Sequence, residues 1–167
     1  MIPHPPIHVL FLCTHNSARS IMAEAILNEL GKGRFVAFSA GSTVSEDQRP
    51  HALALEALEH AGLSTDGLKS KNWEVFAQPS APHMDLIITV CDNAAGEVCP
   101  VWPGHPATAH WGYADPSSVQ GSIEHQRDAF KHTLMLMRER LEHLVSLPTA
   151  GLERLVLEAH ARELASR

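Results

Sequence analysis

Ile7 to Arg19 reads IHVLFLCTHNSAR, and the change of character at Cys13 decides the fold class. Ile7 to Leu12 is nearly all apolar, as expected of a strand buried on both faces of a parallel sheet. Thr14 to Ser17 are small or polar and read as a tight connection. From Arg19 to Leu30 the apolar residues Ile21, Met22, Ala25, Ile26 and Leu30 fall at helical spacing, with Gly31 and Gly33 as the stop.

The same alternation continues outward. Arg34 to Ser39 (RFVAFS) reads as a second strand closed by an Ala40-Gly41 turn, and Pro50 to Ala61 as a helix with Gly62 at its end. Asp85 to Val90 (DLIITV) is a third strand that also runs into a cysteine, Cys91. Asn93 to Pro106 is a Gly- and Pro-rich loop, long enough to suspect function, and Ala107 to Trp111 a short fourth strand. Ser122 to Leu147 is a long helix built on Ile123, Phe130, Leu134, Met137, Leu141, Leu144 and Val145 and stopped by Pro148. Leu152 to Leu164 is a last amphipathic stretch. Buried-type strands alternating with helices predict an α/β fold on a parallel sheet, with ligands at the carboxyl ends of the strands. We divide the chain into a domain, 1–147, and a C-terminal helical extension, 148–167.

Composition narrows the function classes. At 167 residues the chain holds about one domain. Its 44% hydrophobic and 19% charged residues exclude disordered, collagen-like and coiled-coil classes. A formal charge of -6 argues against nucleic acid or an anionic membrane as the main partner. The apolar run Leu86 to Cys91 is far too short to span a bilayer. Met1 to His8 holds three prolines and no basic region, so no secretory signal is expected. Three cysteines do not describe a disulfide framework, which places the protein in the reducing cytoplasm.

Cys13, Thr14, His15, Asn16, Ser17, Ala18, Arg19 and Ser20 join strand to helix, and that geometry suits an oxyanion. A tight strand-to-helix loop turns N–H groups inward, and the helix N-terminus adds partial positive charge. Arg19 offers a bidentate fork for a tetrahedral anion. The same field favours a Cys13 thiolate, to which Ser20 can donate, while Asn16 is a residue type that tolerates a left-handed turn. A buried structural cysteine with a helix cap at Ser17 is the blander alternative.

The Cys-x5-Arg-Ser loop resembles that of low-molecular-weight protein tyrosine phosphatases, and Cys13 to Glu24 (CTHNSARSIMAE) is similar to the arsenate reductases built on the same fold. The likeness extends to about Leu147. It implies a three-layer sandwich around a four-stranded parallel sheet, low-molecular-weight phosphatase-like. In His110 to Pro116 (HWGYADP), Asp115 followed by Pro116 is by itself a turn or helix-start signal. The resemblance makes Asp115 the general acid.

Thr89 to Pro100 (TVCDNAAGEVCP) resembles the redox segment of thioredoxin-coupled arsenate reductases, one residue longer between its cysteines than expected. Ala18 stands where some relatives carry a further cysteine. The resemblance implies that the Cys13 thiolate attacks arsenate, that Cys91 then forms a disulfide with Cys13 as arsenite leaves, and that Cys99 moves the bridge to Cys91–Cys99. Thioredoxin would reduce that bridge, and phosphate or sulfate would compete as oxyanions. No tightly bound cofactor is implied, only a structural potassium near Asn16, Glu24 and Ser39. Cys91 and Cys99 as small core residues, or as zinc ligands with His105 and His110, are the alternatives. A phosphatase using Cys13, Arg19 and Asp115, and a thiol-based anion sensor, are the competing functions.

Overall fold

The computed structural model describes residues 6–90, 107–147 and 161–165. β1 (Ile7–Cys13) leads through the polar loop into α1 (Arg19–Leu30), then β2 (Phe35–Gly41), α2 (Ala52–His60) and α3 (Glu74–Ala77). β3 (Leu86–Thr89), β4 (Ala107–His110), a 3-10 turn (Pro116–Ser118) and the long α4 (Ile123–Val145) follow. All strand pairings are parallel, in the order β2-β1-β3-β4. This is the expected α/β sandwich on a four-stranded parallel sheet. The order reverses between β1 and β3, and the gap beyond their carboxyl ends is where open parallel sheets bind ligands.

Alternation along β1 builds the layers. Val9, Phe11 and Cys13 face a large core with Ile21, Met22 and Ile26 of α1 and Phe130 of α4. Leu10 and Leu12 face the other side, against Trp73, Phe76 and Met84. Burial of β1 from Val9 to Cys13 explains its continuous apolar run. The described end of the chain packs on the first face: Leu164 is buried, and the Trp111 indole donates to the Ala161 carbonyl at 2.8 Å.

Two expectations are corrected, and the alternative at Ser17 falls. Ala40 and Gly41 are no turn but the last residues of β2, paired with Leu12 and Cys13. Ser17 is no helix cap: α1 starts behind Ala18 with no side-chain cap. Pro50 lies outside α2, which His51 caps by accepting the Leu53 N–H on Nδ1. The short α3 was not foreseen, because one turn is too brief to leave a periodic signal.

β2 is an edge strand, and Asn28 of α1 clamps it. Its Oδ1 accepts the Ala37 N–H at 2.9 Å and its Nδ2 donates to the Ala37 carbonyl at 3.1 Å. Asn28→Ala removes both partners of a buried backbone pair and is expected to cost about 1–3 kcal/mol in urea unfolding. Activity per folded molecule is expected to survive.

Candidate active site

Cys13 ends β1, and only 3% of it is exposed. The loop behind it is shaped from outside. Its Cys13 and Thr14 carbonyls accept from Ser42 and Thr43 N–H groups, and its Ser17 carbonyl from the His51 N–H. The Asn16 carbonyl accepts from the Ser70 hydroxyl at 2.6 Å. In trans peptides each N–H points opposite to the preceding carbonyl, so these outward carbonyls turn loop N–H groups toward the concave side. Asn16 supplies the bend with φ 50°.

The side chains under the loop form a hydrogen-bond chain whose direction is fixed as far as Ser20. The Lys71 backbone N–H can only donate, and it gives its proton to Asn16 Oδ1 at 2.8 Å. That orients the amide, so Asn16 Nδ2 donates to Ser20 Oγ at 2.8 Å. The Ser20 hydroxyl in turn lies 2.8 Å from Cys13 Sγ, with its own proton available to a thiolate there. Asn16 and Ser20 are fully buried. A hydroxyl within donating distance and a helix N-terminus are both features that stabilise a thiolate where one forms.

Across the loop, Arg19 Nη1 donates to the Tyr113 carbonyl at 3.0 Å, and Nη2 lies 3.6 Å from Asp115 Oδ2. Asp115 caps the 3-10 turn, its Oδ1 accepting the Ser117 N–H at 2.9 Å and the Ser117 hydroxyl at 2.7 Å. The helix-start reading of Asp115-Pro116 and its nearness to Arg19 therefore both hold. Oδ2 is the oxygen left for chemistry. The Tyr113 ring turns inward, 5.1 Å from the Arg140 guanidinium, and burial pushes its phenol up to about 12. His15 is exposed, with Nδ1 donating to the Thr43 carbonyl at 2.9 Å.

Behind the loop lie Glu24, Ser39 and Lys71. Ser39 Oγ donates to Glu24 Oε1 at 2.5 Å, and the Lys71 ammonium is 3.9 Å from the same oxygen. Burial pushes the Glu24 carboxyl up and the Lys71 ammonium down, each opposed by the other's charge. Asn16, Glu24 and Ser39 are the residues suggested for potassium, and they do not fit it. The Asn16 oxygen already accepts the Lys71 N–H, and a second cation at Glu24 would sit against the ammonium.

Cys91 and Cys99 lie outside the described residues, as does His105. Val90, the residue before Cys91, donates its N–H to the Leu12 carbonyl at 2.8 Å. His110 Nδ1 is 2.6 Å from the Thr89 hydroxyl, and among the described residues no group of three His, Cys, Asp or Glu could hold a metal. Sequence reading brought out Cys13, Asn16, Arg19, Ser20 and Asp115, which the fold gathers. It missed Lys71, Ser70 and Gly41. The only signal for Gly41 was a glycine at a strand end; a Cβ there would stand 2.6 Å from the Thr14 carbonyl oxygen and 2.9 Å from the Asn16 nitrogen.

The model of the low molecular weight phosphotyrosine protein phosphatase family matches residues 8–157, a span that takes in the Cys13 loop and the Asp115 turn. The chain belongs to that family. Within it, the chain is similar to arsenate reductases over most of their length. The arsenate reductase of Bacillus licheniformis is 30% identical over 80% of this chain and 91% of its own. The glutaredoxin arsenate reductase of Synechocystis sp. is 30% identical over 83% of this chain and 95% of its own. The crystal structure of the arsenate reductase from Archaeoglobus fulgidus matches with a TM-score of 0.64 at 29% identity, covering 83% of this chain and 99% of that one.

Gly41→Ala forces the backbone of the loop to move. We expect a loss on the order of 100-fold in kcat/KM, as for an ångström-scale misplacement. Stability should fall by about 1–3 kcal/mol. Steady-state kinetics and urea melts read the two effects.

Proposed function

We propose that this chain reduces arsenate to arsenite, with Cys13 as the nucleophile and Cys91 and Cys99 as the further thiols. The observation that carries this reading is the hydrogen-bond chain ending on Cys13 Sγ, set beside Arg19 and Asp115 at the strand ends. Arsenate takes the loop N–H groups of residues 14–20 and the Arg19 fork. The Cys13 thiolate attacks arsenic, an As–O bond breaks, and Asp115 protonates the departing oxygen, which leaves as water.

Cys91 next attacks the Cys13 sulfur. An S–S bond forms, the S–As bond breaks, and its electron pair stays on arsenic, which leaves as arsenite. Cys99 attacks Cys91, giving a Cys91–Cys99 bridge and returning Cys13 as thiolate. The neighbouring of β1 and β3 supports the relay, since Val90 is bonded beside Leu12 just before Cys91. Thioredoxin is the donor we favour, because a dithiol exchanges directly with a bridge between two further thiols of the chain. A glutathione and glutaredoxin route, or a mycothiol route, would serve the same first step. Phosphate and sulfate compete for the loop, and a thiol relay belongs in the reducing cytoplasm. Among the described residues no helix is long and apolar enough to cross a membrane.

A phosphatase is the second reading, since Cys13, Arg19 and Asp115 also suit phosphoryl transfer. The inward Tyr113 ring disfavours an aryl substrate, because this sole tyrosine offers no wall for a phenyl group.

With thioredoxin, its reductase and NADPH, arsenate is expected to be turned over repeatedly, while aryl phosphate is barely hydrolysed. Fast aryl phosphate hydrolysis without arsenate reduction would instead establish the phosphatase. Cys99→Ser is expected to release about one arsenite per chain and then stall. Asp115→Asn keeps an oxygen for the Ser117 bonds and should lower kcat about 10²–10⁴-fold with little change in melting temperature.

A further inference from the structure

We propose that Lys71 is the resident cation of the active-site loop, a positioning residue whose ammonium balances Glu24 so that Cys13 is set without any added monovalent cation. The inference rests on the reading of Cys13 as the nucleophile. It begins from Glu24, whose side chain is 14% exposed and sits on α1 directly behind the loop. A carboxylate so placed needs an opposing charge. The Lys71 ammonium supplies it at 3.9 Å and is itself fixed by the Lys69 carbonyl at 2.6 Å.

What makes this more than a buried ion pair is where the backbone of Lys71 goes. Its N–H holds Asn16 Oδ1 at 2.8 Å, and its carbonyl accepts the Gly41 N–H at 2.8 Å. One residue therefore ties α1, the end of β2 and the loop amide together. The ammonium pins the residue to α1, and the N–H a few bonds away sets which end of the Asn16 amide meets Ser20. Through Ser20 that choice reaches the sulfur.

Chemical rescue is built into the surroundings. A cavity of about 240 Å³ is lined by Glu24, Asn28, Glu29, Lys32, Ser64 and Asp66. With the Lys71 ammonium removed, a small cation has an acid-lined approach to Glu24. A potassium ion then has a role that the native chain denies it.

The test compares the native chain, Lys71→Ala, Lys71→Gln and Lys71→Arg in choline chloride and in potassium chloride at equal ionic strength. Cys13 alkylation by iodoacetamide, mapped by mass spectrometry, is followed together with arsenate turnover and melting temperature. The native chain is expected to behave alike in both salts. Lys71→Ala in choline should lose on the order of tenfold in Cys13 alkylation rate and in kcat, as for loss of a group that orients the reacting ligand, with potassium restoring most of it. Lys71→Arg should retain most of both. Lys71→Gln keeps the reach without the charge, and it is expected to show the same loss and the same potassium response even if Lys71→Ala does not fold. Wild-type Cys13 reactivity of a folded neutral variant in choline overturns the proposal. So does a native chain that itself requires potassium. Alkylation is read without arsenate, so a native chain that fails to reduce arsenate sinks the functional reading while leaving the Lys71 result legible.

Discussion

The site depends on one proton donor that has no other option. A backbone N–H cannot accept, so the Lys71 amide fixes the orientation of Asn16, Asn16 donates to Ser20, and the Ser20 hydroxyl meets Cys13 Sγ. Each member is paired and two of them are fully buried, so reversal would strand a polar group out of reach of water. The last bond is where the chemistry is decided: a hydroxyl that donates to sulfur favours the thiolate, and a sulfur that donates to the hydroxyl favours the thiol.

The rest of the fold serves to hold the two ends of that chain. β1 brings Cys13 to the point where the strand order reverses, and α1 starts close enough behind it to share Ser20 and Glu24 with the site. β2 runs beside β1 as far as Gly41, whose missing side chain lets the loop backbone lie against it. Asp115 arrives from a different part of the chain, after β4, where it and Tyr113 meet Arg19. Function here comes from strand ends brought together by the sheet.

How much of this was legible in the sequence follows from the range of the forces involved. The bounds of α1 and the course of β1 were readable, because apolar periodicity and buried-strand composition are local signals. Cys13, Arg19 and Ser20 were readable because loop and helix are contiguous. Gly41 was misread as a turn because glycine marks turns far more often than close backbone approach, and only the neighbouring loop distinguishes the two. Lys71 was invisible: in SKNW it looks like a solvated charge, and its role exists only through Asn16 and Glu24, 55 and 47 positions away. The same holds for the residues suggested for potassium, since Asn16, Glu24 and Ser39 gave no hint of the ammonium that stands beside Glu24.

The proposed function rests on thiols that pass two electrons to the bound arsenate and carry the resulting disulfide away from the pocket in an ordered series. The most direct measurement is a mass-spectrometric map of the disulfides in the native chain after one equivalent of arsenate and no external reductant. A Cys91–Cys99 bridge with Cys13 returned to the reduced state, and one arsenite released, is the predicted result. Three reduced cysteines and unchanged arsenate would contradict it.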